Sequence, residues 1–219
     1  MTSMTGVLAG AESMADRSYR ILRDRLIMMD IAPGDPINEA QLAVDLDMGR
    51  TPIREALKRL EVDHLVVSYP RRGTFATGVD ITELAAISEM RLVLEPLASR
   101  RAAEHRGGAY RGELERTMSA ILSLDLTGDR RELMEYDLEV HRLIYRAAQN
   151  QHLEETLVRL DNLATRIWCM VLDRLPDLHG HISEHATLIK LILDGDADGA
   201  EQLAAKHVIG FEKTIRSVL

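Results

Sequence analysis

The twelve residues from Gly49 to Leu60, GRTPIREALKRL, carry a helix-start signal and a basic stripe together. Ile53, Ala56, Leu57 and Leu60 repeat at i, i+3, i+4, i+7, the spacing that gives a helix one apolar face and a core to bury it in. Thr51 is placed to cap this helix, with Pro52 at the first helical position, where a missing N–H costs nothing. Arg50, Thr51, Arg54 and Lys58 fall on the opposite side. A short helix buried on one face, with arginines near its N-terminus on the other, is shaped to enter a DNA major groove. A mixed-charge helix face can also be merely solvated, so the flanking sequence decides.

Upstream, Ser18 to Met29 reads as an amphipathic helix with Leu22, Leu26 and Met29 on one face, stopped by Pro33-Gly34. Asn38 is expected to cap a second helix, with Gln41 in capping-box position and Leu42 and Leu46 facing inward. Asp47 to Arg50 then form a tight turn, which completes a helix-turn-helix. Downstream, Val66–Tyr69 and Thr74–Thr77 have strand composition and flank the turn Pro70-Arg71-Arg72-Gly73. Arginines beside a glycine let backbone and charge approach a phosphate or a minor groove, so the hairpin reads as the wing of a winged helix-turn-helix.

The net charge of -8 requires a look at where the charges lie. Residues 1–79 hold 10 Lys+Arg against 11 Asp+Glu, leaving 17 against 24 for the remainder, so most of the acidity is in the second part. The basic footprint of the first part is small, and a dimer is the natural way to raise its affinity for DNA. A single cysteine, Cys169, gives no internal disulfide. No window approaches the roughly 20 apolar residues of a membrane span. Residues 1–17 lack the basic start and apolar run of a secretory signal and read as a flexible lead-in, so a cytoplasmic location is expected. The domain expectation is 18–78 for the DNA-binding part and 79–219 for a second domain.

From Ile81 onward the period is helical, with breaks at 107–108, 126–128, Asn150, 176–180 and 194–199, which predicts about six helices and no strand. Asp137 and His141 lie four apart on a helix expected from about Asp129 to Ala148, on a face shared with Leu133, Leu138 and Ile144. A turn at 194–199 would fold two helices antiparallel and bring His185 and His207 face to face. One carboxylate and three imidazoles suit a divalent ion with positions left for water or a ligand carboxylate. His181 and His185, with His179 just before, are a rival set, less favoured because Pro176 and Gly180 point to exposure. Arg91 could anchor a carboxylate or pair with Glu95 along its own helix. Trp168 and Arg166, placed near the middle of a fifth helix of this domain, could line the same cavity or belong to the core.

Two resemblances follow from these residues. Pro33-Gly34, Leu42-Ala43, Arg50-Thr51-Pro52-Ile53-Arg54-Glu55-Ala56-Leu57, Arg59-Leu60 and Arg71-Arg72-Gly73 resemble the DNA-binding domain of GntR-family bacterial transcription regulators. The resemblance implies that Arg50 and Arg54 read bases, that Thr51 and Lys58 contact phosphates, and that Arg71, Arg72 and Gly73 form the wing tip. Gly49, Asp47 and His64 depart from the family pattern, which has Ser or Thr at the first position and glycine at the other two. The segments Arg91-Leu-Val-Leu-Glu95-Pro-Leu-Ala98, Asp137-x-x-x-His141, Asn150, Glu184-His185, Gly195-Asp196 and His207 resemble the FCD effector domain of the FadR subfamily, in its six-helix, VanR-like form. That resemblance implies a mainly α protein with an N-terminal winged helix-turn-helix and a C-terminal all-α antiparallel bundle. It implies a divalent metal (Zn, Ni, Mn or Fe) on Asp137, His141, His185 and His207. It further implies a small organic acid effector and a homodimer on palindromic double-stranded DNA, acting as a repressor, with no catalytic residues. The competing class is a metal-dependent hydrolase with Glu184 as general base, and a third reading keeps the regulator but makes the metal purely structural.

Overall fold

The computed structural model describes residues 12–124, 129–175 and 179–219. Most of the expected lead-in and the expected breaks at 126–128 and 176–178 lie outside them. The chain divides into two compact units, one of the residues as far as Leu26 with Asp30–Gly78, the other of Val79–Leu219 with Ile27–Met29.

In the first unit, α1 (Met14–Ile27) is followed by β1 (Pro36–Ile37), α2 (Glu39–Asp45), α3 (Arg50–Val62), β2 (Val66–Tyr69) and β3 (Gly73–Ala76). The first helix starts a turn earlier than Ser18 because Ser13 caps it, its Oγ accepting from the Asp16 N–H at 3.1 Å. Ser18 is instead buried mid-helix, and Met29 has left the helix at φ 64°. Asn38 caps α2 as expected, accepting from the N–H groups of Ala40 and Gln41. The Gln41 side chain turns to Asp45 at 2.7 Å rather than back to the cap. The cap of α3 is Gly49, extended at φ −68°, ψ 159°, so Thr51 already lies inside the helix and caps nothing. Pro52 becomes the third helical residue, still among the four whose N–H has no partner in the helix.

Both departures at the usual glycines take left-handed backbone, Asp47 at φ 50° and His64 at φ 60°. After α3 the Leu65 N–H reaches the Leu60 carbonyl at 2.9 Å and the His64 N–H that of Glu61 at 3.1 Å, the paired bonds of a Schellman ending. The strands form an antiparallel sheet in the order β1-β3-β2. β1 has no signature in the sequence: it is two residues long, and Pro36 is tolerated because the strand lies at the sheet edge. Leu22, Leu26, Ile53, Ala56, Leu60 and Leu65 are fully buried in the core of this unit.

Six α-helices of the second unit are described: α4 (Leu84–Glu104), α5 (Arg111–Ser123), α6 (Arg130–Ala147), α7 (Gln151–Val171), α8 (His179–Asp194) and α9 (Ala197–Arg216). Asp129, Asn150 and Asp196 cap α6, α7 and α9 through their side chains. The α8–α9 turn is shorter than expected, because Gly195 at φ 79° reverses the chain and Asp196 restarts it at once. The long α4 packs against α9, α7, α6 and α8. The main core gathers Leu114, Ile121, Val140, Leu143, Ile189 and Ile192.

Candidate metal centre and nucleic-acid interface

Asp137 and His141 project together from α6, His181 and His185 from α8, and His207 from α9. One donor atom from each of these five residues lies within 4.8 Å of the others. Asp137, His141, His185 and His207 are buried; His181 sits at the edge with 12% of its side chain exposed. The Nε2 atoms of His141 and His185 are 3.3 Å apart, and those of His185 and His207 are 3.1 Å apart.

The outer nitrogens indicate which ring atoms carry protons. Nδ1 of His207 is 3.0 Å from the Glu184 carboxylate, whose other oxygen accepts from Lys206 at 3.0 Å. Nδ1 of His141 is 3.2 Å from the Tyr145 hydroxyl, which donates to Glu95 at 3.1 Å. A neutral imidazole whose Nδ1–H is given to such a partner presents a lone pair at Nε2. His185 and His207 are held neutral: burial and neighbouring imidazoles push His185 well below the usual histidine range, and burial with nearby His181 brings His207 down to about 4. The lone pair on His207 therefore faces the Nε2 of His185, with the Nε2 of His141 beside it. Two donors bound about 2.0–2.1 Å from one ion, 90–109° apart, are about 2.9–3.4 Å from each other, and both Nε2 separations fall in that range.

Charge supports the same conclusion. Burial alone would raise the Asp137 pKa, but the histidines around it, His181 foremost, hold it below the usual carboxylate range. Its Oδ1 has no hydrogen-bond partner among the described residues. A buried carboxylate and converging neutral imidazoles fit a divalent cation. A second set of donors, Glu95, His141 and Asp161, adjoins it. Its carboxylates already face the buried Arg91, which lies 2.5 Å from Glu95 and 3.6 Å from Asp161. The Arg91 guanidinium makes the pair with Glu95, and its Nη1 has no hydrogen-bond partner among the described residues.

The site also draws on residues outside the four expected ligands. His181, of the less favoured rival set and expected to be exposed, has its Nε2 3.2 Å from Asp137. Its i, i+4 spacing to His185 was the available signal. Tyr145 and Phe211 stand one turn beyond His141 and His207. Trp168 walls the cluster, its ring centroid 4.5 Å from those of His181 and Phe211. Trp168 and Arg166 lie at the end of α7, the fourth helix of this unit rather than the fifth. Two residues apart, they project from nearly opposite sides of it, which argues against a shared cavity. His105 and His152 are exposed.

In the first unit, Arg50, Thr51, Arg54 and Lys58 are all exposed along α3, opposite the buried Ile53, Ala56, Leu57 and Leu60. Arg54 meets Glu39 of α2 at 2.7 Å. The neighbouring Arg59 reaches Asp16 at 2.7 Å and covers the Tyr19 ring at 4.1 Å, so it ties α3 to α1. Arg71, Arg72 and Gly73 form the exposed tip between β2 and β3, with Arg71 at φ 62° and Gly73 at φ 95°.

A winged helix-turn-helix joined to an all-helical unit defines a two-part class of DNA-binding proteins. Residues 14–76 match the family described as "Bacterial regulatory proteins, gntR family", and residues 86–210 match the FCD domain. The chain belongs to the gntR family of bacterial regulatory proteins that carry an FCD domain, and it is a DNA-binding transcription regulator of that family. It is 25% identical over 203 residues to the HTH-type transcriptional repressor RspR of Escherichia coli (strain K12), covering 91% of this chain and 88% of that protein. It is 22% identical over 227 residues to the galactonate operon transcriptional repressor of the same organism, covering 93% and 97%. Among solved structures, E. coli McbR/YncC shares the fold with a TM-score of 0.80 at 21% identity, over 94% of this chain and 98% of that one. No helix among the described residues is long and apolar enough to cross a membrane.

Proposed function

We propose that this regulator is a homodimeric repressor whose operator affinity is set by a small carboxylate bound at a divalent ion in the second unit. The observation that carries the reading is the convergence of the His141, His185 and His207 Nε2 atoms beside the buried Asp137. These four residues would hold the ion. The ion would supply a fixed positive charge on which a carboxylate can dock. DNA contact is assigned to residues 18–78, through Arg50, Thr51, Arg54 and Lys58 on α3 and Arg71, Arg72 and Gly73 on the wing. Effector binding and dimerisation are assigned to residues 79–219. The relative named for a galactonate operon is consistent with an acid as effector.

The hydrolase alternative is disfavoured by Glu184. Its carboxylate is engaged by His207 and Lys206, and those bonds hold its pKa down to about 2, too low for a general base at neutral pH. The expected test is His185→Ala. Metal analysis should show affinity reduced by more than about 100-fold, beyond the 10–100-fold that loss of an outer-shell partner costs. In the wild type, a carboxylate effector should change operator affinity by about 5–150-fold, and the variant should fold, bind operator and ignore the effector. Unfolding of the variant would favour a purely structural metal, and turnover of small carboxylates by the wild type would favour the enzyme.

The homodimer is supported by α4. Ala86, Met90, Val93 and Leu97 are exposed on one side of it at spacings of four, three and four, an apolar seam of coiled-coil period. Two copies meeting along it would place each Val93 in a dry contact. Val93→Glu is expected to weaken self-association by at least tenfold, about 1.4 kcal/mol, in sedimentation equilibrium. An unchanged dimer would move the interface elsewhere.

A further inference from the structure

We propose that His181 is a fifth protein ligand of the ion, so that an effector meets one open position rather than two. The inference rests on the metal-site reading above and extends it to a residue outside the Asp137, His141, His185, His207 set. His181 Nε2 and Asp137 Oδ1 meet at 3.2 Å in an ion-pair contact whose angles are not those of an aligned hydrogen bond. A close contact without that alignment suits two atoms that present lone pairs to a shared third atom. The separation lies within the range for neighbouring ligands on one ion. The ring is fixed in place. It stacks on His207 with centroids 4.1 Å apart and planes 26° apart, and Trp168 supports it from another side at 4.5 Å. It is also the most exposed of the five donors, on the first turn of α8.

On a six-coordinate ion, four protein ligands leave two positions, enough for an acid that chelates through two oxygens. Five leave one, which restricts the effector to attachment through a single carboxylate oxygen. His181 is then the residue that selects between the two classes of acid.

The test uses the full-length protein loaded with Mn²⁺. Chelator competition measures affinity, water-proton relaxation measures the inner-sphere water, and acetate and oxalate serve as one-point and two-point probes. His181→Ala is expected to lower Mn²⁺ affinity at least 10-fold, to raise the inner-sphere relaxation per ion about twofold as one water becomes two, and to increase the preference for oxalate over acetate. His181→Phe, which keeps a ring against Trp168 but has no donor atom, should repeat the result if the alanine variant folds poorly. If wild type and variants share the same affinity and relaxation, His181 is not a ligand and the four-residue site stands. If the wild type binds neither Mn²⁺ nor Zn²⁺, the metal-site reading itself falls.

Discussion

Replacing Arg54 by alanine is expected to cost about 1–3 kcal/mol of operator affinity at each half-site. A homodimer carries the substitution twice, so the loss over a palindromic operator is about 2–6 kcal/mol when the half-sites add. The effect should fall on DNA rather than on the fold. Arg54 is exposed, and its contact within the chain is the ion pair with Glu39 at 2.7 Å. Exposed pairs of this kind are worth about 0–1 kcal/mol, and a base edge or phosphate can replace the glutamate. Ile53, Ala56, Leu57 and Leu60, which hold α3 in place, are untouched. Fluorescence anisotropy with the operator and with single base-pair variants measures both parts of the expectation. Affinity should drop, and discrimination should relax at one base pair in each half-site. Binding that stays as tight and as selective as the wild type would take α3 out of the groove.

Glu95→Ala is expected to destabilise the second unit by about 3–5 kcal/mol, because it strands a buried charge. Arg91 is 1% exposed, and its closest counter-ion is Glu95, four residues along α4. Burial opposes charge on Glu95, but the adjacent Arg91 guanidinium holds its pKa below the ordinary range, so it is an anion at neutral pH. Without it, the guanidinium keeps the longer contact with Asp161 at 3.6 Å and the face of Phe211 at 4.7 Å, and the Tyr145 hydroxyl loses its acceptor. Chemical denaturation of the metal-free protein isolates this term from metal binding. Tyr145 links Glu95 to His141 Nδ1, so the same substitution should also loosen the orientation of a metal-facing ring. Stability equal to the wild type would mean that the Arg91 charge is balanced by another group.

Much of the arrangement could be read from the chain because helices encode it locally. The buried face of α3, the Asn38 cap, the positive φ at Asp47 and His64, and the shared face of Asp137 and His141 each depend on residues within about one or two turns. The same short range explains which features leave no trace in the sequence. A two-residue edge strand has no period to detect, so β1 went unseen. Thr51 and Gly49 are both acceptable caps, and the backbone chose the glycine.

His181 shows the difference most directly. Proline and glycine nearby made exposure the reasonable expectation, and its side chain is instead enclosed by Trp168 on α7 and His207 on α9. Nothing in a single sequence states that Glu95, Tyr145 and Asp161 meet, since they come from three helices and each sits in an ordinary amphipathic stretch. By itself the sequence determined which residues share a helix face and, to within about one turn, where the helices start and stop, because those are contacts between near neighbours. Only the tertiary structure decided which faces meet, and therefore which carboxylates are buried, which imidazoles are neutral and which donors converge. Desolvation and charge pairing act across space, between residues far apart in the chain.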